Sequence, residues 1–144
     1  MSDHEAQLVA AACEARDCSY SPYSGFRVGA ALRCADDRLI TGANVENASL
    51  GLSLCAERAA VARAIAEGRR EFTAIAICAD GVRPTPPCGA CRQVLLEFAP
   101  RAEVLIVGER GLAGEVIRTT VDALVPHGFT DYRDREGPGG RPEA

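Results

Sequence analysis

Apolar residues recur at helical spacing near the N-terminus, at Leu8, Ala11, Ala12 and Ala15, which predicts an amphipathic helix over residues 5–17. The period then changes. Residues 26–34 and 39–43 read as two strands joined through the polar turn at Asp36-Asp37. An alanine-rich stretch over 54–67 closes at Gly68 and predicts a second helix. Residues 72–79 read as a buried strand, and Gly81, Pro84, Pro86 and Pro87 break the chain after it. A third helix is expected over 89–98, stopping before Pro100, with two further strands over 103–107 and 115–121.

This alternation predicts an α/β fold, a three-layer α/β/α sandwich around a mixed five-stranded sheet. A chain of 144 residues buries roughly two-thirds of its unfolded surface, enough for one core and too little for two. The domain is expected over residues 1–132. Residues 133–144, with Gly137-Pro138-Gly139-Gly140, read as a solvated tail.

Charge narrows the function. The formal net charge is −4 with no basic run, which argues against capture of a nucleic-acid backbone. All 16 basic residues are arginine, so no lysine serves a Schiff base or a phosphate loop. No apolar run approaches the roughly 20 residues of a membrane helix. Seven cysteines and an N-terminus without signal-peptide features predict the reducing cytoplasm.

Two cysteine clusters carry the chemistry. Cys55-Ala56-Glu57-Arg58 and Pro87-Cys88-Gly89-Ala90-Cys91-Arg92-Gln93 offer three thiolates for one metal and a free carboxylate beside it. A structural zinc closes its tetrahedron with four protein ligands; three cysteines leave a position open, as hydrolysis requires. A redox Cys-x-x-Cys pair needs no third cysteine next to a glutamate. A structural site completed by Cys13, Cys18, Cys34 or Cys78 is the stronger competitor, although none of those lies in a second close pair. They read instead as small buried hydrophobes. Both clusters fall at expected helix starts, where backbone donors and partial positive charge favour thiolates. Three thiolates outweigh a divalent cation by one charge, and Arg58 is the candidate that offsets it. Glu57 is the candidate general acid and base.

These motifs, with Tyr20-Ser21-Pro22-Tyr23-Ser24-Gly25-Phe26-Arg27-Val28-Gly29-Ala30-Ala31-Leu32 and Asn44-Val45-Glu46-Asn47-Ala48-Ser49, resemble the cytidine deaminases, in their short homotetrameric form. The likeness extends to Phe129. Leu50 stands where the family often has tyrosine, near a neighbouring subunit's substrate, and Gly25 replaces a common asparagine.

The resemblance implies zinc-dependent hydrolytic deamination of cytidine and deoxycytidine to uridine and deoxyuridine with release of ammonia, in pyrimidine salvage. It implies one zinc per chain on Cys55, Cys88 and Cys91, with Glu57 moving the protons, Arg58 bonding thiolate sulfur, and Gln93 orienting groups behind the ligands. Asn44 and Glu46 correspond to a ribose clamp, Phe26 to a ring packed on the pyrimidine, and the backbone amides of Ala56 and Cys88 to contacts on the ring carbonyl and the attacking oxygen. As strand residues, Asn44 and Glu46 would share a face opposite Val45, whereas Phe26 also fits ordinary core packing. Phe129 corresponds to an aromatic that reaches over a neighbour's substrate, so the sites are expected to be shared between subunits of a homotetramer. A domain with 5% aromatic residues has limited means to enclose a nucleoside alone. The competing functions are deamination of an antibiotic nucleoside and a zinc-binding structural module. The latter has no use for an unligated Glu57, and the former would be expected to alter the sugar clamp of Asn44 and Glu46.

Overall fold

Ser2 starts the first helix through a reciprocal cap: its Oγ accepts from the Glu5 N–H at 3.2 Å, and Glu5 Oε2 accepts from the Ser2 N–H at 3.0 Å. The computed structural model describes residues 2–131. Within them, helix α1 (Asp3–Arg16) precedes strands β1 (Val28–Cys34) and β2 (Leu39–Ala43), then α2 (Ala56–Ala66), β3 (Phe72–Ala79), α3 (Gly89–Phe98), β4 (Glu103–Val107) and β5 (Val116–Thr120). The expected tail lies outside the described residues.

The strands form one mixed sheet in the order β2-β1-β3-β4-β5. Only β3 and β4 are parallel, and α3 makes the crossover between them. The other pairs are antiparallel. Alternation along the central strands divides the core into two layers. Ala30, Leu32, Ile75, Ile77, Val104 and Ile106 pack with α2 and α3 on one face. Ala31, Ala74, Ala76, Cys78, Leu105 and Val107 meet Leu8, Val9 and Ala12 of α1 on the other. The expected α/β fold with five strands is the one observed.

Close approach sets the position of the site. A Cβ on Gly29 would lie 2.0 Å from Ala12 O, and one on Gly42 would lie 2.4 Å from Ala60 N. Glycine at these two strand positions therefore lets α1 and α2 settle directly on the sheet.

Element boundaries differ from the sequence reading for identifiable reasons. The second helix starts at Ala56 instead of residue 54, because Leu54 exchanges backbone hydrogen bonds with Val45 at 2.8 and 2.9 Å. Phe26 lies outside β1: Gly25 turns the chain at φ 68°, and the ladder begins with Val28 opposite Ala79. Three 3₁₀ turns, Leu50–Leu52, Gly111–Ala113 and Asp122–Leu124, carried no periodic signal. The four spare cysteines are not uniformly buried. Cys34 and Cys78 are, Cys13 is half-buried, and Cys18 is exposed in the turn after α1.

Candidate metal centre and adjoining cleft

Cys55 is the N-cap of α2 and Cys88 the N-cap of α3, each with extended backbone (φ −73°, ψ 153° and φ −67°, ψ 165°). Cys91 sits in the first turn of α3 and is fully buried. The two helix starts bring the three Sγ atoms within 4.8 Å of one another. Cys55 Sγ is 3.8 Å from Cys88 Sγ, which is 3.4 Å from Cys91 Sγ. Among the described residues this is the one cluster of three or more such side chains that could hold a metal ion.

The surrounding charges fit a cation. Burial pushes the Cys91 thiol up, and the Glu57 carboxylate beside it pushes the same way. Burial also opposes ionisation of Cys88, but the Cys91 backbone N–H, 3.5 Å from its Sγ, helps bring the thiol below its ordinary value. Glu57 is 4% exposed, and burial raises its carboxyl. Three thiols packed against a buried carboxylate cannot all ionise unless a cation joins them, which is the electrostatic condition of a thiolate metal site. Arg58 supplies part of that charge: its Nη2 is 3.3 Å from Cys55 Sγ, and this contact holds the guanidinium protonated. Its Nε is buried with no hydrogen-bond partner among the described residues. Zinc, which takes tetrahedral sulfur ligands, suits this donor set.

Beside the thiols opens a cavity of about 280 Å³, lined by Cys55, Ala56, Glu57 and Cys88 on the metal side and by Phe26, Asn44, Glu46, Thr85 and Pro86 towards its other walls. Ala56 is fully buried and opens α2, so its N–H has no partner within the helix. Phe26 remains 39% exposed.

The two candidate sugar contacts also organise the walls. Asn44 Oδ1 accepts from the Val28 N–H at 2.9 Å and from Ser19 Oγ, while Nδ2 donates to Phe26 O at 2.8 Å. One amide N–H is left beyond these contacts. Glu46 Oε1 accepts from the backbone N–H groups of Tyr23 and Ser24, both at 3.0 Å, and Oε2 accepts from Ser24 Oγ. These bonds, the Ser24 hydroxyl first, hold the Glu46 carboxyl below the usual range. Asn44 therefore fixes the entry to β1, and Glu46 fixes the turn before it.

Phe129 is half-exposed and is not among the residues lining this chain's cavity. Its carbonyl accepts from Gln93 Nε2 at 2.9 Å, so Gln93 binds the C-terminal segment. Arg92, beside Gln93 in the same motif, makes a parallel tie. Its Nε donates to Pro87 O at 2.8 Å and its Nη1 to Leu124 O at 3.2 Å. Sequence reasoning passed over the roles of Arg92, Ser19 and Ser24 and the wall residues Thr85 and Pro86. Only Ser24, inside the Ser-Pro-Tyr-Ser-Gly turn, carried a local signal.

Comparison with known proteins agrees with this arrangement. Residues 1–107 match the family model of the cytidine and deoxycytidylate deaminase zinc-binding region. The chain is 50% identical over 123 residues to a cytidine deaminase of Halalkalibacterium halodurans, covering 85% of this chain and 92% of that one. It is 28% identical over 138 residues to a blasticidin-S deaminase of Bacillus cereus, covering 90% and 95%. Its fold matches the crystal structure of cytidine deaminase from Burkholderia pseudomallei with a TM-score of 0.81 and 45% identity, covering 90% of this chain and all of that one. A triad of thiols at two helix starts, a buried glutamate beside it and a family match over most of the length lead to one conclusion: the chain belongs to the zinc-binding cytidine and deoxycytidylate deaminase family.

Proposed function

We propose that the protein hydrolyses cytidine and deoxycytidine to uridine and deoxyuridine with release of ammonia, as a cytidine deaminase of pyrimidine salvage. The observation that carries this reading is Glu57, 4% exposed between the three thiols and the cavity. Cys55, Cys88 and Cys91 hold the zinc. When bound, zinc polarises and acidifies water so that a nucleophile exists near neutral pH.

The protein's own residues do the rest. Deamination attacks the ring carbon that bears the amine, and that carbon becomes electrophilic only when the neighbouring ring nitrogen is protonated. Glu57 takes one proton from the attacking water and delivers it to the ring nitrogen, then takes the second from the hydroxyl now on the ring carbon and passes it to the departing amine as the carbonyl forms. Burial raises its carboxyl, which suits a group that must both accept and return a proton. The Ala56 N–H is available to the ring carbonyl, and the Cys88 amide to the attacking oxygen. Phe26 forms a wall for the pyrimidine. Asn44 keeps an N–H for a sugar hydroxyl, and Glu46 accepts from one. Arg58 balances the thiolate charge, and Gln93 orients the segment that carries Phe129.

A homotetramer with sites shared between subunits follows from the same reading. Leu50 and Leu52 are 76% and 71% exposed on the 3₁₀ turn that precedes Cys55, and Val45, Tyr23 and Phe129 are exposed as well. Apolar exposure on this scale beside a cavity suits coverage by another subunit. Among the described residues no helix is long and apolar enough to cross a membrane. We place the protein in the cytoplasm on its free cysteines, which suit a reducing compartment. The domain is taken as residues 1–132, with 133–144 as an appended tail.

Ultraviolet assays on cytidine, deoxycytidine, cytosine, deoxycytidine monophosphate and blasticidin S test the assignment. The two nucleosides should react efficiently. Cytosine lacks the sugar, and a monophosphate brings negative charge towards the ionised Glu46 with no lysine to receive it. Efficient turnover of the monophosphate, or of blasticidin S in preference to cytidine, would replace this reading.

A further inference from the structure

Two cysteines far from the metal centre meet across the opposite face of the sheet. Cys13 on α1 and Cys78 on β3 are 65 residues apart, yet their Sγ atoms are 2.6 Å apart, about half an ångström longer than a disulfide bond. Cys78 is fully buried, and its Sγ also lies 3.5 Å from Gly108 O. Cys13 is half-buried, so of the two cysteines it is the one that keeps part of its surface in solvent. Arg16, one turn further along α1, points Nη1 at Cys78 Sγ from 3.7 Å. Its Nε is buried with no hydrogen-bond partner among the described residues, 3.7 Å from an Asp80 oxygen. None of these groups touches Cys55, Cys88 or Cys91.

We propose that Cys13 and Cys78 form an oxidisable dithiol that takes a low-molecular-weight disulfide as its oxidant and closes a covalent bridge between α1 and β3. The division of labour follows from the geometry. The accessible Cys13 is the attacking thiol, and the buried Cys78 is the resolving one. The hydrogen bond shared with Cys78 lowers the Cys13 thiol, and the Arg16 charge lowers it further against the cost of burial. The hydrogen bond to Cys13, together with burial, keeps Cys78 protonated until exchange begins.

The exchange balances in two steps. The Cys13 thiolate attacks one sulfur of the small disulfide, forming a mixed disulfide and releasing one thiolate. The Cys78 sulfur then attacks Cys13 Sγ, and its proton goes to the second small thiolate, which leaves as a thiol. The two cysteines are oxidised by two electrons, and the small disulfide is reduced to two thiols. The new bond would lie behind the substrate cavity, because Ile77 and Ala79, on either side of Cys78 along β3, line that cavity from the other face of the sheet. A bridge enclosing so long a loop restricts the unfolded chain, so the oxidised protein should be the more heat-resistant form.

The test exposes the zinc-loaded protein to oxidised glutathione, then alkylates remaining thiols and maps the peptides by mass spectrometry. The expected product has lost two hydrogen atoms, carries no glutathione on Cys13, and yields a Cys13–Cys78 cross-linked peptide and a raised thermal midpoint. The Cys78→Ser protein, lacking the resolving thiol, should retain one glutathione at Cys13. A parent protein in which Cys13 and Cys78 both remain alkylatable, or in which Cys13 keeps its glutathione, overturns the proposal. Cross-linking of Cys78 to any cysteine other than Cys13 overturns it equally.

Discussion

Arg58 Nη2 stands 3.3 Å from Cys55 Sγ, so the helix that offers a thiol at its N-cap carries a counter-charge in its own first turn. Residues three apart on a helix face each other, and a guanidinium donates to sulfur without surrendering its proton. The pair therefore fixes the thiolate and tempers the negative charge of a three-cysteine site within four consecutive residues. Replacing Arg58 by Ala should lower zinc affinity roughly 10- to 100-fold in chelator competition, as loss of a group supporting a ligand does elsewhere. The activity–pH profile should move to higher pH, because the site becomes more negative. Unchanged affinity and an unchanged profile would show that Arg58 only packs.

Cys88→Ala removes the N-cap of α3 together with a ligand, and metal and activity should disappear together. Cys18→Ala, at an exposed position in a turn, should change neither. Elemental analysis alongside the deamination assay separates the two. Full zinc in the Cys88→Ala protein would refute the ligand set.

Arg92 joins the loop before Cys88 to the C-terminal segment through Pro87 O and Leu124 O. Hydrogen bonds from a charged donor are worth about 1.5–3 kcal/mol each when buried, and this residue is partly exposed, so Arg92→Ala should cost about 1–3 kcal/mol of unfolding free energy. Because the same segment carries Phe129, KM should rise more than kcat falls, and Phe129→Ala should reproduce the KM effect without the stability loss. Steady-state kinetics with denaturant unfolding checks both. Parental KM in both variants would remove this segment from substrate binding.

Strong periodicity made the layers legible. The helical recurrence of Leu8 and Ala12 and the apolar runs through Ile75 and Val104 supply residues of the two core faces. Boundaries were less legible where tertiary contacts decide them. Leu54 pairs with Val45 and delays α2, and Gly25 turns the chain and keeps Phe26 out of β1. The convergence of Cys55, Cys88 and Cys91 could be anticipated because both spacings start helices. Contacts such as Asn44 to Val28, Arg92 to Leu124 and Cys13 to Cys78 join residues far apart in the chain, and no local pattern announces them.

Asp80, the residue after β3, accepts from the Arg27 side chain at 3.1 Å (Nε and Nη2) and from the Arg27 backbone N–H at 2.9 Å. The Arg27 side chain holds its carboxyl below the usual range. A depressed folded pKa gives stability that is present above the unfolded carboxylate pKa and lost as pH falls through the folded one. The stability gap between the parent and Asp80→Asn should therefore be widest near neutral pH and close in acid. Denaturant unfolding across that range measures it, and a gap independent of pH would assign the loss to packing.

Glu57→Gln removes the proton carrier while keeping shape and burial. Zinc content, cytidine affinity and turnover measured on one preparation should give one zinc per chain, near-parental binding and turnover lower by about 10²- to 10⁴-fold or more. Retention of zinc with turnover within about tenfold of the parent would contradict that role for Glu57, since another group would then be moving the protons.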